Sequence, residues 1–486
     1  MTAAVPAADW RLPAAVALVA FLPRAAAALL WPAGGGDWEI YGTVAENILA
    51  GCGVSLSDPA GSACRPHFGG NSLPGYPAFV AAVWSLSGHS DVAVRLVQAA
   101  CYAGALAWLV AAVRRAVGSP AAALAVGLVM ALSPLQVAWP RFTQTETLAL
   151  ATTVWVLAEL TWSLHQGRLR LLPLAVALAV AVFIRLDGVL LTVPVAVLAF
   201  HLHRPVQAVR RGIVVALLMA VPLAGWTARN VAVGLPSVLP PTMVTPDGGP
   251  APRGYMAWGD TWVTEEYQRP GYLWPVTRFV YDAIAVDPAA YDDAAEADRV
   301  AALLAELKTH QGRPIPPHID AAFAALAAER AARAPWRTHV GNPLKRAAAL
   351  WSNPFASFGW PSELPGTVAA DMRLDIARGD VATVLDAARQ YPGKAAAKAM
   401  TAGYRVALML AALGALALAF TTRLGPARIF VWLALSHVLA RTVLLALTNN
   451  VETRYTVEAV PAMELAVVLA LWSLRRGRLE RPAPAA

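Results

Sequence analysis

Two carboxylates stand two residues apart directly after the first long apolar segment, in the stretch Gly34-Gly35-Gly36-Asp37-Trp38-Glu39-Ile40-Tyr41. This places Asp37 and Glu39 where the chain first leaves the membrane. A carboxylate at that boundary can act as a general base, which accepts the proton of a hydroxyl while the oxygen attacks a carbon atom. The alternative is structural: Asp37 caps the helix that follows, and Glu39 adds favourable charge to its first turn.

Glu146 is a third acidic candidate, because it begins another apolar segment. As a functional residue it orients the acceptor or joins Asp37 around a divalent ion, since carboxylate oxygens suit Mg²⁺, Mn²⁺ or Ca²⁺. The structural alternative is a capping box that Glu146 forms with Thr143, three residues earlier.

Arginines interrupt or border several apolar segments: Arg24, Arg185, Arg229, Arg441 and Arg454. A charge within a membrane span is costly and usually faces an internal cavity or a charged partner. The alternative roles are snorkelling to the interface and pairing with a nearby acid. The acids that lie near these arginines in sequence are Asp187, Glu452 and Glu458. For Arg24 we expect one of these alternative roles.

The elements that must position these residues are membrane spans. The chain has 486 residues, of which 57% are hydrophobic and 14% charged, whereas a soluble protein carries about 25% charged residues. The net charge of +8 is distributed in short clusters between apolar runs, which indicates membrane topology rather than a nucleic-acid partner. The first segment lacks the features of a cleaved signal peptide, so we expect it to be a retained anchor.

A helix needs about 20 predominantly apolar residues to cross the hydrocarbon core. The candidate spans are 12–32, 92–112, 119–137, 144–164, 170–186, 187–203, 211–228, 401–421, 427–447 and 455–474. The sequence therefore predicts an all-α integral membrane protein with about ten transmembrane helices.

Arginine clusters in alternate connections set the orientation. The connections rich in arginine contain Arg11, Arg114 and Arg115, Arg168 and Arg170, Arg204 to Arg211, Arg423 and Arg428, and the arginines from Arg475 onward. By the positive-inside rule these connections are cytoplasmic. Both termini are then inside, and the long segments 33–91 and 229–400 are outside. The high Ala, Arg and Pro content is typical of a GC-rich bacterial genome. We therefore expect the protein to lie in the cytoplasmic membrane of a bacterium.

The two long external segments differ in kind. In the first, Ile40, Val44 and Ile48 recur at helical spacing, which predicts an amphipathic interfacial helix over 38–50 and, by a similar pattern, another over 74–87. The second holds 18 of the 31 acidic residues, and its Ala-rich part predicts soluble helices. We therefore divide the chain into an N-terminal transmembrane module (1–228) with a catalytic first loop, an external helical subdomain (229–400), and C-terminal spans with a tail (401–486).

Cysteines and aromatic residues add further hypotheses. Cys52 and Cys64 both fall in the first external loop, where an oxidising compartment lets cysteines pair, but the sequence alone leaves a disulfide open. Cys101 lies within an apolar segment and is expected to be an inert packing residue. The aromatic-rich segment 242–262 either binds a sugar ring or belongs to the interfacial aromatic belt.

Several short motifs occur in a fixed order along the chain. They are Asp37-Trp38-Glu39, Leu73-Pro74-Gly75-Tyr76-Pro77, Leu132-Ser133-Pro134 followed by Glu146, Ile184-Arg185, Gly225-Trp226-Thr227-Ala228-Arg229-Asn230 and Glu452-Thr453-Arg454-Tyr455. Their order and spacing resemble the GT-C superfamily of membrane glycosyltransferases. Within it, the pattern is most similar to the branch of protein O-mannosyltransferases and the lipid A aminoarabinose transferase.

The resemblance implies inverting transfer of a sugar from a polyprenyl-phosphate donor to a hydroxyl outside the cytoplasm. It implies that Asp37 is the general base, with Glu39 and Glu146 beside it, and that Arg229 and Arg454 bind the donor phosphate. Further candidates for substrate binding are Arg185, Arg441, Tyr76 and Tyr455. The sequence also has no Gly-rich loop of the kind that binds a nucleotide's phosphates, which agrees with a lipid-linked donor.

Two other functional classes stay open from the sequence. A transporter or a flippase for lipid-linked sugars explains the spans and the intramembrane charges, although such proteins usually show matched repeats with midplane sites. A non-catalytic sensor, in which segment 229–400 binds a saccharide, would make Asp37 and Glu39 capping residues only.

Overall fold

The protein is described by a computed structural model, which covers residues 10–34, 37–57, 64–67, 73–235, 245, 251–354, 359–361, 364 and 379–479. Its helices up to residue 232 are α1 (Arg11–Leu30), α2 (Trp38–Leu49), α3 (Gly75–Ser87), α4 (Asp91–Val117), α5 (Pro120–Ala131), α6 (Glu146–Gln166), α7 (Leu171–Ile184), α8 (Thr192–Leu202) and α9 (Pro205–Ala232). The later helices are α10 (Arg253–Asp260), α11 (Gln268–Thr277), α12 (Ala294–Lys308), α13 (Pro317–Arg333), α14 (Asn342–Ser352), α15 (Val381–Gln390), α16 (Pro392–Ala419), α17 (Arg428–Leu447) and α18 (Val460–Leu479). Two short strands complete the description: β1 (Ser55–Ser57) and β2 (Cys64–Pro66).

The predicted helical membrane fold is confirmed, and each of the ten predicted apolar segments is helical. Within the described ranges, seven helices are long and apolar enough to cross a membrane, and the other three segments form shorter apolar helices. The shorter helices are Pro120–Ala131, Leu171–Ile184 and Leu186–Leu202, of which the last includes a 3₁₀ segment, Leu186–Leu191.

Local sequence signals account for several helix ends. Ser90 and Ser119 accept hydrogen bonds from the backbone N–H groups of Ala93 and Ala122, and so begin α4 and α5. Helix α4 ends at Gly118, whose φ of 68° lies in the left-handed region that glycine adopts without strain. These caps produce the tight turn that lays α5 back against the bundle.

Arg24 is a charged residue in the core of the helix bundle, and its partners differ from those that the sequence predicts. Arg24 was expected to snorkel or to pair with an acid, but it is completely buried. Its guanidinium donates hydrogen bonds to the carbonyl oxygens of Ala131 (2.8 Å) and Met130 (3.2 Å), and lies 3.7 Å from the centre of the Tyr102 ring. Arg24 thus satisfies the last carbonyl groups of α5, where a cation is also favoured by the helix dipole.

The first external loop contains the two expected helices and a strand pair that was not expected. Helices α2 and α3 match the predicted interfacial helices. Strands β1 and β2 pair antiparallel between them, and Cys52 forms a disulfide with Cys64 beside this pair. The all-α prediction missed the strands because each has only three residues, too few to show an alternating apolar pattern.

The described part of the second external segment has its own apolar core. Aromatic rings from α10, α11 and α13 pack together, among them Tyr255, Trp258, Tyr272 and Phe323, all fully or nearly fully buried. The predicted sugar-binding role of segment 242–262 is therefore not supported for these rings, because they hold the subdomain together. Residues 242–244 and 246–250 of that segment lie outside the described residues.

Candidate active site

Asp37 stands at the N-terminal end of α2, but it does not cap the helix. Its carboxylate makes no hydrogen bond to the backbone N–H groups of the first turn, and the residue is partly exposed. The capping role is therefore wrong for Asp37. Glu39 is exposed. Residues two apart point to nearly opposite sides of a helix, so Glu39 does not face the side on which Tyr41 is buried.

Tyr41 and Tyr76 fix α2 against α3. Their rings meet edge to face with 4.9 Å between the ring centres, and the Tyr76 hydroxyl donates to Gln98 Oε1 at 2.8 Å. Burial, followed by the charges of Asp37 and Glu146, raises the pKa of Tyr41 well above its usual value. Asp37 and Glu146 thus both act on the same hydroxyl. Tyr76 itself has no exposed surface and supports α2 in this structure, and its role in substrate binding stays a prediction.

Glu146 opens helix α6 and belongs to a buried ion cluster. The predicted capping box with Thr143 is not formed, because the residue before the helix is Thr145 and its side chain accepts from Arg185 instead. Arg185 lies 3.7 Å from Glu146, binds Asp187 through two contacts of 3.1 Å, and lies 3.2 Å from Glu458. One oxygen of Glu146, Oε2, is buried without a hydrogen-bond partner in the described structure.

Arg441 completes this cluster from helix α17. It contacts Asp187 at 2.5 Å, forms an ion pair with Glu458, and donates from Nε to the carbonyl oxygen of Tyr455 at 2.6 Å. Three acids and two arginines are thus gathered, so the acids outnumber the arginines. The alternative role of pairing with acids is confirmed for Arg185 and Arg441, and it leaves little positive charge for an added anion.

Arg454 is arranged differently. Its Nε lies 2.6 Å from Glu452 Oε2, and its Nη2 donates to the Tyr455 hydroxyl at 2.8 Å. Its remaining nitrogen, Nη1, has no partner among the described residues. The guanidinium also interacts electrostatically with Asp37 and Glu146. Arg454 is therefore the predicted phosphate-binding arginine that keeps one nitrogen donor unpaired in the described structure.

Arg229 has a different task in this structure. Its guanidinium donates to the backbone carbonyl oxygens of Val54 and His67, the latter at 2.8 Å, and to Asn230 at 3.0 Å. Val54 and His67 flank the β1–β2 pair. Arg229 thus ties the disulfide-linked hairpin to the C-terminal end of α9, and its role in phosphate binding stays a prediction.

The predicted metal-binding role of Asp37 and Glu146 stays a prediction. No group of three or more His, Cys, Asp or Glu side chains in the described part of the chain has the geometry to hold a metal ion. Glu146 already faces Arg185, which competes with a cation for the carboxylate. The donors of Asp37 and Glu146 do not fit a divalent ion without further ligands, and no step below uses one.

A large, open apolar cavity adjoins the ion cluster. It has a volume of about 1210 Å³ and is lined by α3, α4, α6, α7 and α9. Its lining includes Gly75, Leu148 and Ile184, which are near neighbours in sequence of Tyr76, Glu146 and Arg185. From Leu148 to Glu159 along α6 it extends about 16 Å, at 1.5 Å per helical residue.

A polar cluster contributes Glu159 and Trp108 to the lining of the cavity. Glu159 accepts a hydrogen bond from the Trp108 indole at 2.8 Å and pairs with Arg170 at 2.6 Å. Cys101 lines the cavity wall and is exposed, so the expectation that it is an inert packing residue is wrong.

Two residues of the site were missed in the sequence. Tyr41 could have been found, because it lies one helical turn after Asp37 and so shares its face. Arg269 could not, because it lies far from Glu452 in sequence and meets it only in the folded chain, at 2.8 Å.

Residues 71–226 match the model of the family described as dolichyl-phosphate-mannose-protein mannosyltransferase. The matched segment covers less than half of the chain and contains Tyr76, Glu146 and Arg185, whereas Asp37, Arg441 and Arg454 lie outside it. The predicted resemblance is confirmed over this segment. No protein of curated function matches the chain in sequence.

Two solved structures are similar to the chain, both of ArnT from Cupriavidus metallidurans. The structure bound to undecaprenyl phosphate is 16% identical, covers 94% of this chain and 77% of ArnT, and has a TM-score of 0.39. The structure of the apo state is 17% identical, covers 94% and 76%, and has a TM-score of 0.37.

Proposed function

We propose that this chain is an inverting glycosyltransferase of the GT-C type, which moves a sugar from a polyprenyl-phosphate donor to a hydroxyl at the outer face of a bacterial cytoplasmic membrane. Both termini are then cytoplasmic. The observation that carries the proposal is the carboxylate of Asp37, which belongs to a partly exposed residue and is not used as a helix cap. Arg454, which keeps one nitrogen unpaired in the described structure, supports it. The family match over residues 71–226 supports the reaction class.

The reaction is a single displacement at the anomeric carbon of the donor. Asp37 takes the proton of the acceptor hydroxyl, whose oxygen forms the new bond to the carbon. The bond from that carbon to the phosphate oxygen breaks on the opposite side, and its electron pair leaves with the polyprenyl phosphate. Arg454 stabilises the charge that builds on this phosphate, through Nη1 and its planar guanidinium.

The buried cluster supplies orientation. Glu146 Oε2, which is buried without a partner, accepts a hydrogen bond from a substrate hydroxyl. Tyr455 holds Arg454 through its own hydroxyl. Arg185 and Arg441 hold the surrounding acids in place through ion pairs, and so shape the site without touching the phosphate themselves.

The donor's prenyl chain needs an apolar space beside the site. The cavity between α3, α4, α6, α7 and α9 offers one, because its rim adjoins Tyr76 and Arg185 and its wall is mostly apolar. We place the chain of the lipid there, with its phosphate toward Arg454.

The test is the substitution Asp37→Asn, which keeps the side-chain shape but removes the base. We expect sugar transfer in membranes to fall by at least about 100-fold, the usual contribution of a positioned general base. Binding of undecaprenyl phosphate, measured by tryptophan fluorescence in nanodiscs, should stay unchanged. Glu46→Gln is the matched control, because Glu46 loses the same charge on the exposed side of the same helix.

The outcomes separate the competing functions. If Asp37→Asn retains most of the transfer activity, Asp37 is not the general base. A transporter or flippase would show no transfer with the unmodified protein, and a non-catalytic sensor would respond to the substitution only through its stability.

A further inference from the structure

We propose that Arg269 and Glu452 are positioning residues, through which the external helical subdomain holds Arg454 in place for the donor phosphate. The inference rests on the proposed function, because it concerns the arginine that is assigned to this phosphate. Neither residue touches the reacting atoms.

The contacts form a chain of alternating charges. Arg269 Nη1, on helix α11 of the subdomain, lies 2.8 Å from Glu452 Oε1. The other oxygen of Glu452 lies 2.6 Å from Nε of Arg454. Glu452 thus bridges two guanidinium groups, and its side chain is only 13% exposed.

The segment that carries Glu452 is built into the subdomain. Val451 is completely buried within the aromatic core of the subdomain. Arg269 also bonds Asn450, and Glu266 accepts a hydrogen bond from the Thr453 hydroxyl at 2.8 Å. Residues 450–453 are therefore fixed by the subdomain, and Arg454 is the next residue along the chain.

Orienting an arginine before its ligand arrives favours phosphate binding. An arginine side chain has many rotamers, and fixing it only when the ligand arrives reduces the binding free energy. With Nε in an ion pair with Glu452 and Nη2 hydrogen-bonded to the Tyr455 hydroxyl, the guanidinium is oriented in advance. A displacement of about 1 Å in such a group can cost about 100-fold in rate.

The experiment measures the dissociation constant of undecaprenyl phosphate for the full-length protein in nanodiscs, together with the melting temperature. We expect Glu452→Gln and Arg269→Met each to weaken binding by about 2- to 10-fold, measured well below the melting temperature of each variant, because breaking this largely buried ion pair also lowers that temperature. Arg269→Lys keeps a cation next to Glu452 and should restore most of the affinity. Glu329→Gln is the matched control, because it breaks the exposed ion pair with Arg299 (2.9 Å) on the same subdomain.

Arg454→Ala separates this inference from the proposed function. Loss of binding in Arg454→Ala, with normal binding in Glu452→Gln and Arg269→Met, would overturn the positioning role and leave the proposed function intact. Normal binding in Arg454→Ala would overturn the assignment of Arg454 and with it both proposals. A parallel loss of affinity and melting temperature that Arg269→Lys does not restore would show a purely structural role.

Discussion

At the scale of single residues, ion pairing with neighbouring acids determines which arginines remain able to bind a phosphate. Arg185 and Arg441 lie among three acids, whereas Arg454 keeps one nitrogen without a partner in the described structure. An arginine that already compensates buried acids cannot be moved to a phosphate without leaving those acids unpaired, which is costly in a buried site. The arginines that look equivalent in sequence therefore have different roles.

Removal of Arg441 tests this distinction. Arg441→Met leaves Glu458 buried with Arg185 as its remaining partner, so we expect the free energy of unfolding to fall by about 3–5 kcal/mol. The measurement is thermal or denaturant unfolding in detergent. Arg389→Met, at an arginine that is 77% exposed, is the control and should unfold like the unmodified protein. Equal stability of the two variants would contradict the structural role of the cluster.

At the scale of elements, Arg229 holds the first loop in position. The hairpin of β1 and β2 is closed by the Cys52–Cys64 disulfide, and Arg229 holds its two flanking carbonyl groups. Burial and the charges of Arg65 and Arg229 lower the pKa of His67 in this loop from 6.5 to about 4. The loop therefore docks with His67 neutral.

The docking of the loop should depend on pH. Between pH 6.5 and about 4 the unfolded chain binds a proton on His67 that the folded loop does not. Stability is therefore complete above about pH 6.5 and falls as the pH decreases toward 4. We expect the melting temperature of His67→Gln to decrease less between pH 7.5 and 5 than that of the unmodified protein. His201→Gln, at an exposed histidine, should keep the full decrease, and an equal decrease in all three would exclude His67 as the cause.

At the scale of the whole molecule, the cavity adjoins the ion cluster. Helix α3 brings them together, because a Cβ on Gly75 would lie only 2.4 Å from the carbonyl oxygen of Phe183. Only glycine allows α3 to approach α7 so closely. The rim of the cavity is thereby placed beside Tyr76 and Arg185.

Cys101 provides a probe of what fills the cavity, since it is the one cysteine outside the disulfide. In nanodiscs, undecaprenyl phosphate should slow alkylation of Cys101 by N-ethylmaleimide. Gly104→Leu places a side chain into open space at the cavity wall and should weaken this protection. Gly403→Leu is the matched control, because its added side chain also meets open space but on helix α16. If undecaprenyl phosphate does not change the rate of alkylation, the prenyl chain does not occupy this cavity.

The sequence predicts elements better than contacts in this protein. Long apolar runs and helical spacing were enough to locate the spans and helices α2 and α3. The capping roles of Asp37 and Glu146 were wrong, because whether a carboxylate bonds its own helix depends on what else lies within reach. The link from Arg269 to Glu452 joins distant parts of the chain, and no local pattern reports such a pair.

The burial of Val451 in the subdomain core limits how the molecule can move. The helical subdomain and the segment that leads into the last span share this residue, so the subdomain cannot move away like a hinged lid without pulling Arg454 with it. If the proposed function holds, the lipid donor and the released polyprenyl phosphate would then be exchanged laterally, through the bilayer. In that case the turnover number should respond to membrane fluidity more than to the viscosity of the water outside.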